Sequence, residues 1–174
     1  MTTRKPKPLD ETGLREFALK SLAVRSSSEA EMRTKLERRA IRQTDVEVVM
    51  RRLKEVGFLN DARLAEHFAG WRLETQRLGR RRVERDLRAR KIAPKLVETA
   101  VTNAFEGVDE AALIREHIAK RVRRSGKPED RRAMASLYRH LMVAGFSPSL
   151  IFPELRRISK SDADAIEEET ESAI

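Results

Sequence analysis

The sequence predicts an all-α chain built from three tandem three-helix units. One observation is a repeated ladder of six apolar positions. Met32, Leu36, Ile41, Val46, Met50 and Leu53 recur after 51 residues as Val83, Leu87, Ile92, Val97, Val101 and Ala104. They recur after a further 54 as Leu137, Leu141, Phe146, Ile151, Leu155 and Ile158. In each copy the first two rungs are four apart and the last three are four and then three apart, as on one face of a helix. The second observation is negative: no stretch alternates with period two for long enough to make a strand, and aromatic residues are only 5% of the chain. Modules of about 50 residues bury too little surface to be robust alone, so the units should lean on one another. Arrays of this kind present long surfaces and bind long partners.

The elements follow in order. Residues 1–12 read as a disordered basic lead. The first unit, 13–58, opens with a helix marked by Leu14, Phe17, Ala18 and Leu22. Ser26, Ser27 and Ser28 interrupt it, and Ser28 with Glu31 fits a capping box for a second helix that points Met32 and Leu36 inward. Thr44 with Glu47 reads as another capping box, opening a third helix lined by Val46, Val49, Met50 and Leu53. Gly57 is placed to close that helix in the left-handed conformation, with Phe58 folding back on it.

The second unit, 59–106, begins with Asn60 as a cap and Leu59 as a staple onto Leu64. Leu64, Phe68 and Trp71 give its first helix an apolar stripe, with Trp71 expected in the core. Gly79 separates this helix from one carrying Val83 and Leu87. Pro94 suits the first turn of the next, lined by Leu96, Val97, Ala100, Val101 and Ala104.

The third unit, 107–158, has a helix with Ile114, Ile118 and Val122 inward, a loop at Ser125 to Pro128, and a helix with Met134, Leu137, Tyr138 and Leu141 inward. Gly145-Phe146-Ser147-Pro148 then stops one helix and starts the last. Residues 159–174 form an acidic tail, expected to be disordered and solubilising; the competing idea is that it imitates DNA and covers the basic body.

Charge narrows the function. The net charge is +9, but the tail sets one base, Lys160, against six carboxylates, a net of −5, which leaves +14 on residues 1–158. A body so basic predicts an anionic partner, nucleic acid first. There are no cysteines, so disulfides and thiolate metal sites are excluded and a reducing compartment is natural. No apolar run approaches the ~20 residues of a membrane span, and the Lys/Pro-rich start is not a secretory signal. A cytoplasmic monomer is expected.

Four segments, in order, resemble a known family. Ala18 to Leu36 (ALKSLAVRSSSEAEMRTKL) is similar to the opening signature of the RecX family of bacterial recombination regulators. Leu53 to Phe68 (LKEVGFLNDARLAEHF) is similar to that family's most recognisable motif, and Gly79 to Ile92 (GRRRVERDLRARKI) and Leu141 to Leu150 (LMVAGFSPSL) resemble its second- and third-unit signatures. The resemblance spans roughly residues 14 to 158. It implies three three-helix units in an elongated, curved array. It also implies a role in DNA repair and the SOS response: binding the RecA recombinase, above all its filament on single-stranded DNA, and modulating, usually inhibiting, its ATPase, strand-exchange and co-protease activities. Two departures stand out. Where the family often has glycine before the apolar rung after each unit's second helix, Ala40 and Lys91 stand in the first two units and only Gly145 conforms. A residue with a side chain in a left-handed cap costs on the order of 1 kcal/mol, so those two helices are expected to end differently. A proline common after the second-unit glycine is replaced by Arg80.

The candidate binding residues are basic. Arg72, Arg77, Arg80, Arg81, Arg82, Arg85, Arg88, Arg90 and Lys91 crowd the second unit, and at 100° per residue Arg81, Arg85 and Arg88 share a helix face opposite Val83 and Leu87. Guanidinium groups bind phosphates or carboxylates in a bidentate fork; the plainer alternative is a solvated face paired with Glu84 and Asp86. Lys120, Arg121, Arg123 and Arg124, with Lys127, Arg131 and Arg132, form a second candidate, as readily explained by solubility. His67, His117 and His140 are far apart in sequence and lack metal-ligand spacing. No phosphate loop, nucleophile elbow or zinc-protease motif occurs, so neither catalysis nor a cofactor is expected. A DNA-binding transcriptional or architectural protein with helix-turn-helix-like units is the alternative, with Arg81, Arg85 and Arg88 entering a groove.

Overall fold

The computed structural model describes residues 7–158. The chain is all-α: eight helices run α1 Glu11–Val24, α2 Glu29–Glu37, α3 Gln43–Glu55, α4 Asp61–Gln76, α5 Arg80–Ala89, α6 Pro94–Ala104, α7 Glu110–Ser125 and α8 Arg131–Ala144. A further helical stretch, α9, covers residues 148–158. Among the described residues the only extended pairing is an isolated parallel bridge between Leu9 and Ala40. Helix α1 starts at Glu11, capped by Asp10, so the helix reaches into the stretch read as a lead. The acidic tail lies outside the described residues.

Two compact units divide the chain. Among the described residues, unit 1 takes 7–70 and Arg85–Ala104, and unit 2 takes Trp71–Glu84 and 105–158. In unit 1 the core joins Leu14 and Ala18 of α1, Met32 and Leu36 of α2, and Val46, Val49, Met50 and Leu53 of α3, with Leu59 beside them. In unit 2 Leu113, Ile114, Ile118, Leu137, Leu141, Phe146, Ile151 and Leu155 are buried. Nearly every rung of the ladder is buried or half-buried. That is the fold the periodicity requires, since an amphipathic helix gains most of its stability by covering its apolar stripe.

The exception is Ile41, 62% exposed where Ile92 is 4% and Phe146 0%. The cause is the end of α2. Gly145 closes α8 at φ +101 and Lys91 follows α5 at φ +59, both left-handed. Ala40 instead pairs with Leu9, and Ile41 N–H donates to the Leu9 carbonyl at 3.0 Å. Ala40 packs on the core in place of Ile41. Of the two glycine replacements, then, Ala40 ends its helix differently, whereas Lys91 keeps the left-handed turn despite its side chain.

The caps mostly match the sequence. Ser28 and Glu31 form the full capping box, Asn60 Oδ1 accepts from Arg63 N–H at 2.9 Å, and Gly57 is left-handed at φ +79. The Thr44–Glu47 box does not form. Helix α3 starts two residues earlier, after Arg42, whose guanidinium forks onto the buried Asp45 carboxylate at 3.0 and 3.1 Å. Glu47 is drawn away by an ion pair with Arg33. The stripe of α4 is also shifted. Ala65, Ala69 and Leu73 are buried, Leu64 and Phe68 half-buried, and Trp71 is 49% exposed rather than in the core. The buried face of α4 thus runs through Ala65, Ala69 and Leu73, and Leu64 and Phe68 flank it.

Candidate functional site

Helix α5 places its arginines by the same periodicity that buries Val83 and Leu87. Both of those are fully buried, while Arg81, Arg85 and Arg88 are exposed. Arg81 and Arg85 have no ion-pair partner among the described residues. An exposed guanidinium without a carboxylate partner keeps all its donors for an anionic ligand.

The other arginines of the cluster are built into the fold of unit 2. Arg77 sits at φ +53 just after α4, its Nε 3.4 Å from the Glu116 carboxylate. Its carbonyl lies 2.9 Å from His117 Nε2. Arg80 lies 3.7 Å from Glu110 and 5.1 Å over the Phe105 ring. Arg82 donates to the Val143 carbonyl at 3.3 Å. Arg72 is half-buried, 5.3 Å from the Trp71 ring centroid and hydrogen-bonded to Gln76. Two glycines hold this region together. A Cβ on Gly79 would lie 2.6 Å from the backbone of Gly145, and Gly79 N–H donates to the Ala144 carbonyl at 2.9 Å.

The second cluster lies along α7. Lys120, Arg123 and Arg124 are exposed and Arg121 is half-buried. Arg123 and Arg124 occupy the last turn, where cations favour the helix dipole. His117 and His140, distant in sequence, come together with ring centroids 5.7 Å apart. Desolvation, then the neighbouring His117 ring and Arg121, push the His140 pKa down. Among the described residues no group of three or more potential ligands could hold a metal.

Arg90 and Lys91 part company with the cluster. Lys91 is exposed, but Arg90 is 7% exposed and belongs to the core of unit 1. Arg90 meets Glu31 at 2.9 and 3.3 Å and donates to the Ser26 carbonyl at 2.7 Å, while its own carbonyl accepts from Ser28 Oγ at 2.6 Å. It also lies 5.6 Å from the Phe68 ring centroid. The repeat carries the signal for this: the 51-residue shift maps Arg39 and Phe17 onto Arg90 and Phe68, and Arg39 lies 4.3 Å over the Phe17 ring.

The family model "RecX, second three-helix domain" matches residues 60–101. The regulatory protein RecX of Deinococcus radiodurans is 34% identical over 161 residues, covering 90% of this chain and 74% of that protein. The chain belongs to the RecX family. The regulatory protein RecX of Thermobifida fusca is 31% identical, over 81% of this chain and 78% of its own. In three dimensions the chain resembles the crystal structure of RecX from Lactobacillus salivarius with a TM-score of 0.71 at 18% identity, over 86% of this chain and 97% of that one. A second RecX crystal structure gives a TM-score of 0.70 at 21% identity, over 80% and 70%. At such identities the likeness is one of fold. These RecX relatives carry the name of regulatory proteins, and among the described residues no helix is long and apolar enough to cross a membrane.

Proposed function

We propose that this RecX-family chain is a non-enzymatic, cytoplasmic regulator that binds RecA, mainly as its filament on single-stranded DNA, and lowers its ATPase, strand-exchange and co-protease activities. Family membership supports the partner. The observation that carries the reading in this chain is the outward face of α5, where Arg81 and Arg85 stand without ion-pair partners among the described residues. A filament on DNA is a polymer of phosphates and carboxylates, and a row of guanidinium groups one helical turn apart can engage either. Lys120, Arg123 and Arg124 on α7 add long-range attraction, which salt screens. Arg72, Arg77, Arg80 and Arg82 support the fold and contribute charge rather than free donors, and the half-buried Arg121 adds charge beside His140.

The test is the rate of RecA ATP hydrolysis on single-stranded DNA. Wild-type protein at near-equal ratio to RecA should lower it. The triple reversal Arg81→Glu/Arg85→Glu/Arg88→Glu should need at least about tenfold more protein for the same effect. An unchanged rate at saturating wild-type protein would end the inhibitory reading. The same helix face could enter a DNA groove, so a footprint on a defined duplex that survives competitor DNA would favour a transcriptional or architectural role. Weak, salt-sensitive, sequence-blind binding accompanies the filament role.

A further inference from the structure

The face that α1 and α3 present in unit 1 carries apolar side chains that the fold does not require. Val48, Val56 and Phe58 are 38%, 62% and 54% exposed. With Leu19, Arg15, Arg52 and Glu11 they line one groove. Beneath it the core of the unit is complete, with Leu14 and Val46 fully buried and Val49 and Leu53 nearly so.

The internal repeat supplies a control. A shift of 51 residues replaces Arg15, Leu19, Val48, Arg52, Val56 and Phe58 by Glu66, Gly70, Thr99, Asn103, Gly107 and Asp109. The second copy folds its three helices with small or polar residues at all six places. Packing within a three-helix unit therefore does not explain the apolar set of the first copy. Scattered exposed apolar residues are ordinary, but a contiguous set rimmed by charge marks an interaction surface.

The rim states the chemistry of the occupant. Arg15 and Arg52 are exposed and have no ion-pair partner among the described residues. Two free guanidinium groups beside an aliphatic floor suit a segment whose apolar side chains are flanked by carboxylates. A nucleic acid would use only Phe58 of that floor, since valine and leucine offer bases no stacking surface comparable to an aromatic ring. We propose that this groove docks an acidic, apolar segment of the recombinase protein itself, leaving the α5 arginines for phosphates. This rests on the function proposed above.

The experiment uses the full chain and two pairs of surface substitutions, Val56→Ser/Phe58→Ser and Arg15→Glu/Arg52→Glu, each checked for an unchanged helical signal. Affinity is measured for RecA without DNA, for the filament, and for single-stranded DNA alone. Each pair should weaken binding to DNA-free RecA by about tenfold or more. The Val56/Phe58 pair should leave the affinity for DNA unchanged. Wild-type affinity of both pairs for RecA would overturn the groove assignment while leaving the function intact. A wild-type protein that binds neither RecA nor its filament would overturn the function and the groove together. Concentration-dependent self-association, or capture by anionic vesicles, abolished by Val56→Ser/Phe58→Ser would assign the groove to a second copy or a lipid surface and overturn the proposal.

Discussion

Replacing Arg90 by methionine should destabilise unit 1 far more than a surface arginine change would. The guanidinium is nearly buried, and its removal strands the Glu31 carboxylate and frees the Ser26 carbonyl. Breaking a buried pair by deleting one partner typically costs ~3–5 kcal/mol. The Glu31 side chain is 29% exposed, so water recovers part of that; the expected loss is roughly 2–4 kcal/mol. Urea denaturation followed by circular dichroism gives the midpoint and slope. The double variant Arg90→Met/Glu31→Gln should recover at least half of the loss, because glutamine still accepts the Ser28 N–H of the capping box and carries no charge. pH adds an independent reading. Burial raises the Glu31 pKa, but hydrogen bonds from Arg90 and Ser28 N–H and the charges of Arg90 and Arg25 outweigh it, leaving it below its ordinary 4.5. The unfolded chain therefore takes up the proton first as pH falls. The stabilisation is whole above the unfolded pKa and is lost as pH drops through the lower folded value. Arg90→Met should lack that acid limb. A midpoint shift worth less than about 1 kcal/mol, or a double variant as weak as the single, would refute the reasoning.

Ile41→Ala should shift the midpoint by less than about 0.5 kcal/mol, whereas Ile92→Ala, one repeat later, should cost roughly 2–4 kcal/mol. Equal losses would mean that the different end of α2 has been misread. Trp71 is the single tryptophan of the chain and about half exposed, so its native emission should be readily quenched by acrylamide. Trp71→Ala should unfold at nearly the wild-type midpoint, and a strongly shielded ring would contradict this. Gly79→Ala should cost roughly 2–4 kcal/mol in unit 2, from overpacking against the Gly145 backbone and a strained Gly79-to-Ala144 hydrogen bond. A wild-type midpoint for Gly79→Ala would show that the contact yields.

Most of the helices were legible because their signals are local. The ladder gave the buried faces of α2, α3, α5, α6, α8 and α9, and Ser28, Asn60, Gly57 and Pro94 marked helix ends. What was misread depended on competition between partners distant in sequence. Glu47 could cap α3 or pair with Arg33, and only folding brings Arg33 near enough to win it. Trp71 looked like core because its spacing continues the stripe of Leu64 and Phe68, yet the buried face of α4 runs through Ala65, Ala69 and Leu73. The 51-residue shift from Leu14, Ala18 and Leu22 to Ala65, Ala69 and Leu73 held that register all along. Within the arginine cluster, composition marked the region but could not separate Arg81 and Arg85, which face solvent, from Arg77 and Arg80, which meet Glu116 and Glu110. The nearness of His117 and His140 had no signal in their spacing.

Sequence periodicity and compactness divide this polypeptide at different places. A fragment cut after residue 58 keeps three whole helices but loses Arg85–Ala104, the part of unit 1 that holds Arg90 and α6. A contiguous piece holding all described residues of unit 1 must run to Ala104, and one holding those of unit 2 must begin by Trp71, so the two pieces share 71–104. Deleting the second repeat, 59–106, would therefore damage both halves at once, and a loss of binding in such a truncation would say little about where the partner sits.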